Sequence, residues 1–364
     1  MDPTLYRRPL PADAIAFSSP EGRQLFAEAL AEGGLDGYFP LAEQFHTQSE
    51  PAYCGLGSLV VALNALAIDP GRLWKGPWRW FGEELLDCCV PLAEVRERGI
   101  PLDELACLAR CNGAEVAIVR ADATNLGAWR TALVAASRGE GVLIASYDRA
   151  TLGQSGAGHF SPVGGYHAAR DLVLVLDVAR FKYPPHWVAA DHLWQAMHAV
   201  DAATGHARGW MLLRSRAQGV ALGFNVRCDG ESWQGLARRL GAAAVALGEA
   251  ADIAALSRAV APLVGNVALR RPTAPAHREA LEKARAALRA LPLHAEVRTS
   301  VGEDEAEVVT LLLLSTTELL LPAQRRLVAA LADAARTGSP IASELDGLRA
   351  QLAAIHEHMA VRSA

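Results

Sequence analysis

A change in composition near Ser215 constrains the fold of this 364-residue chain more than any other feature. Seven of the eight tryptophans and five of the six cysteines precede it, with Trp233 and Cys228 as the exceptions. Alanine and leucine dominate the remainder, where aromatic residues are rare. Because different compositions favour separate cores, we expect an α+β domain over residues 1–215 and a mainly α-helical, cysteine-poor domain over residues 216–364.

The first half mixes helix and strand patterns. Leucines at helical spacing predict a helix from Leu56 to Leu66 and a shorter one that starts at Leu102 and is closed by Gly113. Short aliphatic or β-branched runs then predict strands at residues 142–147, 159–166, 172–178 and 209–213. The helices therefore come first and the sheet forms late in the domain.

The second half reads as a series of amphipathic helices. Their patterns predict helices at residues 232–247, 278–291, 323–336 and 341–358. The most apolar run, residues 308–322, is shorter than the roughly 20 apolar residues that a bilayer helix needs, so we interpret it as a buried helix. The first thirty residues contain no apolar stretch typical of a secretory signal. We therefore expect a cytoplasmic protein with no membrane partner.

The charge balance argues against nucleic acid as a partner. Lysine and arginine total 35 against 40 aspartates and glutamates, a net charge of -5, which leaves no excess of cations to neutralise a phosphate backbone. A hydrophobic content of 51% with 21% charged residues excludes global disorder. The composition is that of a globular protein.

Cys54 stands where a reactive thiol is expected. It follows Pro51 and precedes several small residues, so it lies at or near the N-terminus of the predicted long helix. Backbone amides and the helix dipole at that end stabilise a thiolate and lower the pKa of the thiol. The alternative is a small buried residue in a turn that starts a helix.

A cysteine nucleophile needs a base and a group that orients the base. His159 begins a predicted strand, and Asp177 lies eighteen residues later in the next one, where an antiparallel partner could bring its carboxylate near His159 Nδ1. Gln48 could donate its side-chain amide to an oxyanion, with the Cys54 backbone N–H as the second donor. The alternative is that these are accidental neighbours or hydrogen-bonded core residues.

Four segments around these residues resemble the catalytic domain of the phytochelatin synthases, the glutathione γ-glutamylcysteinyltransferases. The segments are TQSEPAYCGLGSLVVALNAL (47–66), DPGRLWKGPWRWF (69–81), GHFSPVGGYH (158–167) and LDVARFKYPPHWV (176–188). The resemblance covers about residues 5–213. It implies a papain-like cysteine peptidase fold in which Cys54, His159 and Asp177 form the catalytic triad and Gln48 helps to build the oxyanion hole.

The resemblance also implies the reaction. Members of this family cleave glycine from glutathione, hold γ-Glu-Cys as a thioester on the cysteine, and transfer it to the amino group of glutathione or a growing phytochelatin. When water replaces that acceptor, the outcome is hydrolysis of glutathione or of a glutathione S-conjugate. We therefore expect the transferase, with the hydrolase as the alternative and a non-enzymatic metal-binding thiol protein as a distant third.

Substrate recognition requires an acidic residue and an arginine, because a γ-glutamyl group carries an α-ammonium and an α-carboxylate. Asp201 and Arg208 could form that pair, and the resemblance places their loop beside the acyl site. A surface ion pair that braces a turn is the alternative. Arg180 and Lys182 follow Asp177 and could receive the glycine carboxylate or the second glutathione, unless they lie in a solvated loop.

The remaining thiols suggest metal but do not complete a site. Cys107 and Cys111 are four residues apart on a helix, and Cys88–Cys89 is a second pair, but no histidine or cysteine follows at zinc-finger spacing. Buried thiols are the simpler interpretation, and the metal-binding residues stay unknown. We expect no tightly bound cofactor. By the resemblance, a heavy-metal ion (cadmium, zinc or copper) acts as activator or as part of a metal–glutathione substrate. The C-terminal half could stabilise the catalytic domain, cover its second substrate site or mediate homodimerisation, and the sequence does not choose among these roles.

Overall fold

The computed structural model describes residues 7–70, 73–87, 90–215, 224–226, 233–269, 275–332, 339–342, 344–346 and 348–349. The chain splits into two compact units. The first consists of residues 1–68, 81–86 and 92–215, and the second of residues 69–80, 87–91 and 216–364. The stretches 69–80 and 87–91 thus group with the C-terminal unit, whereas the sequence assigned them to the first domain.

A seven-stranded sheet forms the centre of the first unit. Its strands are β1 (Ile15–Ala16), β2 (Ala114–Arg120), β3 (Val142–Asp148), β4 (Gly158–His167), β5 (Leu172–Val175), β6 (His186–Ala189) and β7 (Gly209–Ser215). They pair in the order β1-β6-β5-β4-β3-β7-β2, and every pairing is antiparallel. Side chains of β3 and β5 are buried along nearly their whole length, as their continuous apolar runs predict.

One strand is shorter than the sequence predicted. The run from Leu172 to Val178 indicated a strand that includes Asp177, but β5 ends at Val175. The pairing of β4 with β5 shifts register between Val163 and Gly165, and the Leu176 N–H donates to Pro162 O beyond that shift. Asp177 therefore lies past the end of β5.

The helices of the first unit pack around the sheet, and most of them precede strands β3 to β7 in the chain. They are α1 (Pro20–Ala31), α2 (Tyr38–Gln44), α3 (Cys54–Ala65), α4 (Leu92–Arg98), α5 (Leu102–Cys111), α6 (Leu126–Ser137) and α7 (Ala190–His198). Helix α3 is buried on all sides from Gly55 to Leu63 and packs against β3 and β4, which is why its sequence is apolar rather than amphipathic. These helices and the sheet confirm the predicted α+β class.

The second unit is mainly helical in its described part, as its composition predicted. Its helices are α8 (Trp233–Leu247), α9 (Ile253–Val260), α10 (Pro275–Arg289), α11 (Pro292–Val301), α12 (Glu303–Ser315) and α13 (Pro322–Leu331). It also contains an antiparallel pair that the sequence did not predict, β8 (Phe224–Val226) with β9 (Val267–Leu269). Most of the predicted helix 341–358 lies outside the described residues. None of the described helices is long and apolar enough to cross a membrane.

Candidate active site

A cleft of about 580 Å³ opens in the first unit, where α3 meets one end of the sheet. Cys54 and His159 line it together with Asp201 and Arg208. The other lining residues lie in several separate segments: Pro51–Ala52, Glu97–Pro101, Arg149, Gly156–Gly158, Phe160, Ala179, Phe181–Lys182 and Ala202–Ala203. The cleft therefore collects most of the residues that the sequence singled out.

Cys54 is the first residue of α3, at the position that the sequence predicted. The chain enters the helix through a turn in which the Tyr53 N–H donates to Glu50 O and the Gly57 N–H donates to Tyr53 O. The thiol is free and only partly exposed. Its sulfur therefore combines the electrostatic benefit of a helix N-terminus with access to the cleft.

His159 lies on β4 and faces both the thiol and a buried carboxylate. Its Nε2 is 2.9 Å from Asp177 Oδ1, and both side chains are almost completely buried. The sequence expected the carboxylate at Nδ1, so that detail was wrong. With Nε2 at Asp177, Nδ1 is the ring nitrogen left for the sulfur of Cys54, whose pKa is lowered by His159. The Ala179 N–H also donates to Asp177 Oδ1 and fixes the carboxylate from the other side.

The pKa shifts of this group favour a thiolate–imidazolium pair. Burial on its own raises the pKa of Cys54, but His159, the Phe160 backbone N–H and Arg149 outweigh it and lower that pKa. Burial and Arg149 lower the pKa of His159, but Asp177 and Cys54 outweigh them and raise it. Each shift moves the proton from sulfur to nitrogen, so the geometry stabilises a charged nucleophile.

Sequence reasoning missed Arg149, which follows β3. Its Nη2 lies 2.7 Å from Asp177 Oδ2 and 2.8 Å from His159 Nε2, and only 3% of its side chain is exposed. One signal could have found it. Strands β3 and β4 form a hairpin in which Asp148 pairs with Gly158. The residues that follow these two in the chain, Arg149 and His159, therefore lie on the same face of the hairpin. A charged residue directly after an apolar strand is the signal that could have indicated this contact.

Gln48 does not have the free amide that the sequence expected. Its Nε2 donates to Glu50 O at 2.8 Å and to Pro51 O at 2.9 Å, so both of its hydrogens are used within the turn before Cys54. Its Oε1 is buried without a hydrogen-bond partner. In this arrangement Gln48 fixes the turn, and donation to an oxyanion would require it to leave one carbonyl.

A second residue that the sequence missed, Glu83, supports the same turn. Its carboxylate accepts from the Ser49 N–H and from the Ser49 hydroxyl, and it is 5% exposed. Gly57 of α3 makes room for this contact, because a Cβ there would lie 3.0 Å from Glu83 Oε1 and 3.2 Å from Gln48 Cβ. Burial raises the pKa of Glu83 despite the Ser49 contacts that lower it.

Asp201 and Arg208 come together at the opposite wall of the cleft. Arg208 Nη1 lies 3.3 Å from Asp201 Oδ2, a long ion pair in a largely buried place. The Arg208 Nε is buried without a hydrogen-bond partner. A Cβ at Gly158 would lie 2.4 Å from Arg208 Nη1, so only glycine lets this guanidinium lie across the start of β4, next to His159. The pair is therefore built into the cleft and does not merely brace a surface turn.

Arg180 and Lys182 occupy different positions. Lys182 lines the cleft and its Nζ donates to Ser155 O at 2.6 Å. Burial and the charge of Arg149 lower the pKa of Lys182. Arg180 is not among the cleft-lining residues, and its guanidinium lies over the Phe45 ring, 4.9 Å from the centroid. The structure thus brings Lys182, but not Arg180, to the cleft.

The described residues contain no group of three or more His, Cys, Asp or Glu side chains that could hold a metal ion. Cys107 and Cys111 are buried on α5, and neither forms a disulfide bond. Cys88, Cys89, Cys228, His356 and His358 lie outside the described residues.

Known proteins are similar to this chain over most of the first unit. Residues 5–210, more than half of the chain, match the family model for phytochelatin synthase. The chain belongs to the phytochelatin synthase family. Glutathione gamma-glutamylcysteinyltransferase 1 of Triticum aestivum is 54% identical over 237 residues, 65% of this chain and 47% of the relative. Glutathione gamma-glutamylcysteinyltransferase 3 of Lotus japonicus is 51% identical over 238 residues, 65% of this chain and 50% of the relative.

A more distant family member has the same extent of similarity. The glutathione gamma-glutamylcysteinyltransferase of Schizosaccharomyces pombe is 41% identical over 239 residues, 65% of this chain and 57% of that protein. The chain therefore spans about half the length of the curated relatives that it matches. The family match ends at residue 210, before the mainly helical unit resumes at residue 216.

Proposed function

We propose that this chain is a glutathione γ-glutamylcysteinyltransferase that makes phytochelatins. One observation carries the proposal: Cys54 begins a buried helix beside His159, whose Nε2 is 2.9 Å from Asp177, all within the segment that matches the family. We assign Cys54 as the nucleophile, His159 as the general acid and base, and Asp177 as the group that orients the imidazole.

We extend the proposal to the fold. In our proposal residues 1–215 form the catalytic domain with a papain-like cysteine peptidase fold, and residues 216–364 form a helical domain outside the chemistry. Support comes from the arrangement of elements, in which the cysteine starts the central helix and the histidine comes from the antiparallel sheet packed against it.

Acylation begins with attack of the Cys54 thiolate on the carbonyl carbon of the Cys–Gly bond of glutathione. The imidazolium of His159 gives its proton to the leaving glycine amine, and the γ-Glu-Cys group stays on sulfur as a thioester. In the second step the amino group of another glutathione, or of a phytochelatin, attacks that thioester. His159, now neutral, accepts the proton that the amine loses, and Cys54 is released.

The oxyanion of each tetrahedral intermediate needs donors close to Cys54. The backbone N–H of Cys54 is the first donor in our proposal, because N–H groups at a helix N-terminus have no partner within the helix. Gln48 is the second, once its Nε2 releases Glu50 O or Pro51 O. The short turn that Glu83 holds through Ser49 keeps Gln48 next to Cys54 for this purpose.

The charge of the cleft suits a substrate with two carboxylates. Asp201 takes the α-ammonium of the γ-glutamyl group, and Arg208 takes its α-carboxylate through a charge-assisted contact. Lys182 has no carboxylate partner among the described residues and receives the glycine carboxylate or the second glutathione. Arg180 serves the acceptor only if it leaves the Phe45 ring.

Thiophilic metal enters this proposal as part of the substrate. Cadmium, zinc or copper binds the thiol of glutathione, and the resulting metal–glutathione complex, or a glutathione with a blocked thiol, is the better acceptor. The chain itself needs no tightly bound cofactor. Cys54, Cys107 and Cys111 form no disulfide, which fits a reducing compartment, so we assign the enzyme to the cytoplasm and leave open whether it forms a homodimer.

Incubation with glutathione, with and without cadmium, tests the proposal by mass spectrometry of the products. Phytochelatin oligomers are the expected result, whereas γ-Glu-Cys alone would indicate the hydrolase. Unchanged glutathione under all conditions would refute both enzymes. S-methylglutathione without cadmium tests the role of the metal, because a blocked thiol should then support transfer without any metal.

A further inference from the structure

The guanidinium of Arg149 lies beside Asp177 and His159, and the triad mechanism gives it no role. Its Nη2 is 3.0 Å from Asp177 Oδ1, 2.7 Å from Asp177 Oδ2 and 2.8 Å from His159 Nε2. Arg149 therefore contacts both the Asp177 carboxylate, which orients the imidazole, and the ring nitrogen that faces this carboxylate. The side chain is 3% exposed, so these contacts are shielded from solvent.

A buried chain of polar groups fixes this guanidinium. Its Nη1 donates to Gln154 Oε1, and Gln154 Nε2 lies 3.0 Å from His186 Nε2 on β6. His186 Nδ1 lies 2.9 Å from Pro184 O, so Nδ1 carries the proton and Nε2 accepts from Gln154. The guanidinium also lies over the Tyr183 ring, 5.1 Å from the centroid. Arg149 is thus held by elements other than the triad itself.

The proton chemistry at His159 explains why a cation is useful there. A lone buried carboxylate beside an imidazole stabilises the imidazolium strongly, which helps to form the thiolate but hinders the loss of the proton later. Deacylation needs a neutral His159 that can accept a proton from the attacking amine. A neighbouring positive charge offsets part of the carboxylate and moderates this preference.

Resting on the proposed function, we propose that Arg149 is a positioning residue for the Asp177–His159 pair. It fixes both oxygens of Asp177, and it offsets the charge of that carboxylate beside Nε2, so that His159 can both hold and release a proton. Arg149 also faces the cleft, but its inward contacts distinguish this role from that of a residue that only binds substrate.

Other ionisable groups pack around Arg149 and His159, namely Tyr147, Tyr183, Lys182, His186 and Arg208. Tyr147 approaches from β3, its ring 5.7 Å from that of His159, and stays protonated because burial raises its pKa. Lys182 supplies a second positive charge near Arg149, and burial keeps His186 neutral by lowering its pKa. The charge of Arg149 lowers the pKa of both Cys54 and His159. Loss of that charge should therefore raise the pKa of both members of the pair.

The test measures the thiol directly, without glutathione. The rate at which iodoacetamide alkylates Cys54 is followed against pH by peptide mass spectrometry in wild type, Arg149→Met and Arg149→Lys. Arg149→Met should move the midpoint of the alkylation profile to higher pH by about 1 unit. Arg149→Lys, which keeps the charge but not the two-oxygen contact, should stay much closer to wild type and still release glycine more slowly from glutathione.

Matched measurements separate the possible failures. Arg130→Met breaks another arginine–aspartate pair of the same unit, with Asp171, and should leave the alkylation midpoint unchanged. An unchanged midpoint in folded Arg149→Met, with only a higher glutathione requirement, would overturn the inference and leave a substrate-binding role. If Arg149→Met does not fold, a wild-type rate of glycine release in Arg149→Lys would overturn it instead. A wild type that releases no glycine refutes the proposed function, while the alkylation profiles still test Arg149.

Discussion

Buried polar groups are used differently in the two units of the molecule. In the second unit, buried hydroxyls such as those of Ser257, Thr310 and Thr316 donate to the carbonyl four residues earlier in their own helix. In the first unit, Asp177, Arg149 and other buried groups bond between separate strands and loops. Bonds within a helix satisfy a hydroxyl locally, whereas bonds between elements fix distant residues relative to one another. Bonds between elements also occur in the second unit, where Gln324 of α13 donates to Ala244 O of α8, but in the first unit they join His159, Asp177 and Arg149 beside a thiol.

The largest expected effect comes from breaking the contacts between elements. His159→Ala should lower glycine release by about 10⁶-fold, and Asp177→Asn by about 10⁴-fold, because the imidazole transfers protons and the carboxylate only orients it. Rates of glycine release from glutathione measure both. His167→Gln, at the other end of the same strand, is the matched control and should retain turnover. Equal activity in wild type and His159→Ala would remove the triad.

A smaller effect is expected at the opposite wall of the cleft. Asp201→Asn should raise the glutathione KM by about 10- to 100-fold with little change in kcat, because it removes one charge-assisted contact to the substrate ammonium. Asp171→Asn, which breaks a partly buried ion pair with Arg130 outside the cleft, serves as the control. A change in kcat alone would place Asp201 outside substrate binding.

The same substitution in each unit sharpens the comparison. Leu59 on α3 and Leu312 on α12 are both almost completely buried, and replacing either with alanine should cost about 2–5 kcal/mol of stability. Leu59→Ala should also slow glycine release, because α3 carries Cys54. Leu312→Ala should leave the turnover of the folded protein unchanged. Thermal unfolding and activity assays well below both melting temperatures would show whether the second unit contributes to turnover.

The smallest effect concerns two buried acids of the first unit. His159 and Arg149 outweigh burial and hold the pKa of Asp177 well below its usual value, so its stabilising contribution is present at neutral pH and is lost as pH falls through that lowered pKa. Burial raises the pKa of Glu83, so its contribution is present below about pH 4.5 and is lost as pH rises through the raised pKa. Glu83→Gln should therefore gain stability relative to wild type as pH rises, and Asp177→Asn should lose it. Chemical unfolding at several pH values measures both, and parallel trends would contradict this assignment.

Much of the site could be predicted because its residues carry local signals. Cys54 follows a proline turn and opens an apolar run, and His159 starts a strand after two glycines. The order of these elements was enough to propose that they meet. Asp177 was predicted beside His159 from the pairing of β4 with the next strand, although that strand, β5, ends at Val175.

The parts that the sequence could not give depend on contacts between distant segments. Which nitrogen of His159 meets Asp177 is decided by ring orientation, which no spacing reveals. Gln48 was predicted from its distance to Cys54, but the close turn directs its amide to Glu50 and Pro51. Glu83 reaches Ser49 across 34 residues of chain, so only the folded structure brings that pair together.

The central claim is that Cys54 is the residue that carries the acyl group. Brief exposure of the enzyme to glutathione, followed by acid quenching and peptide mass spectrometry, tests it most directly. We expect a γ-Glu-Cys adduct on the peptide that contains Cys54, sensitive to hydroxylamine as a thioester should be, and no such adduct in Cys54→Ala. An adduct on Cys88, Cys107 or another cysteine, with Cys54 unmodified, would contradict the account.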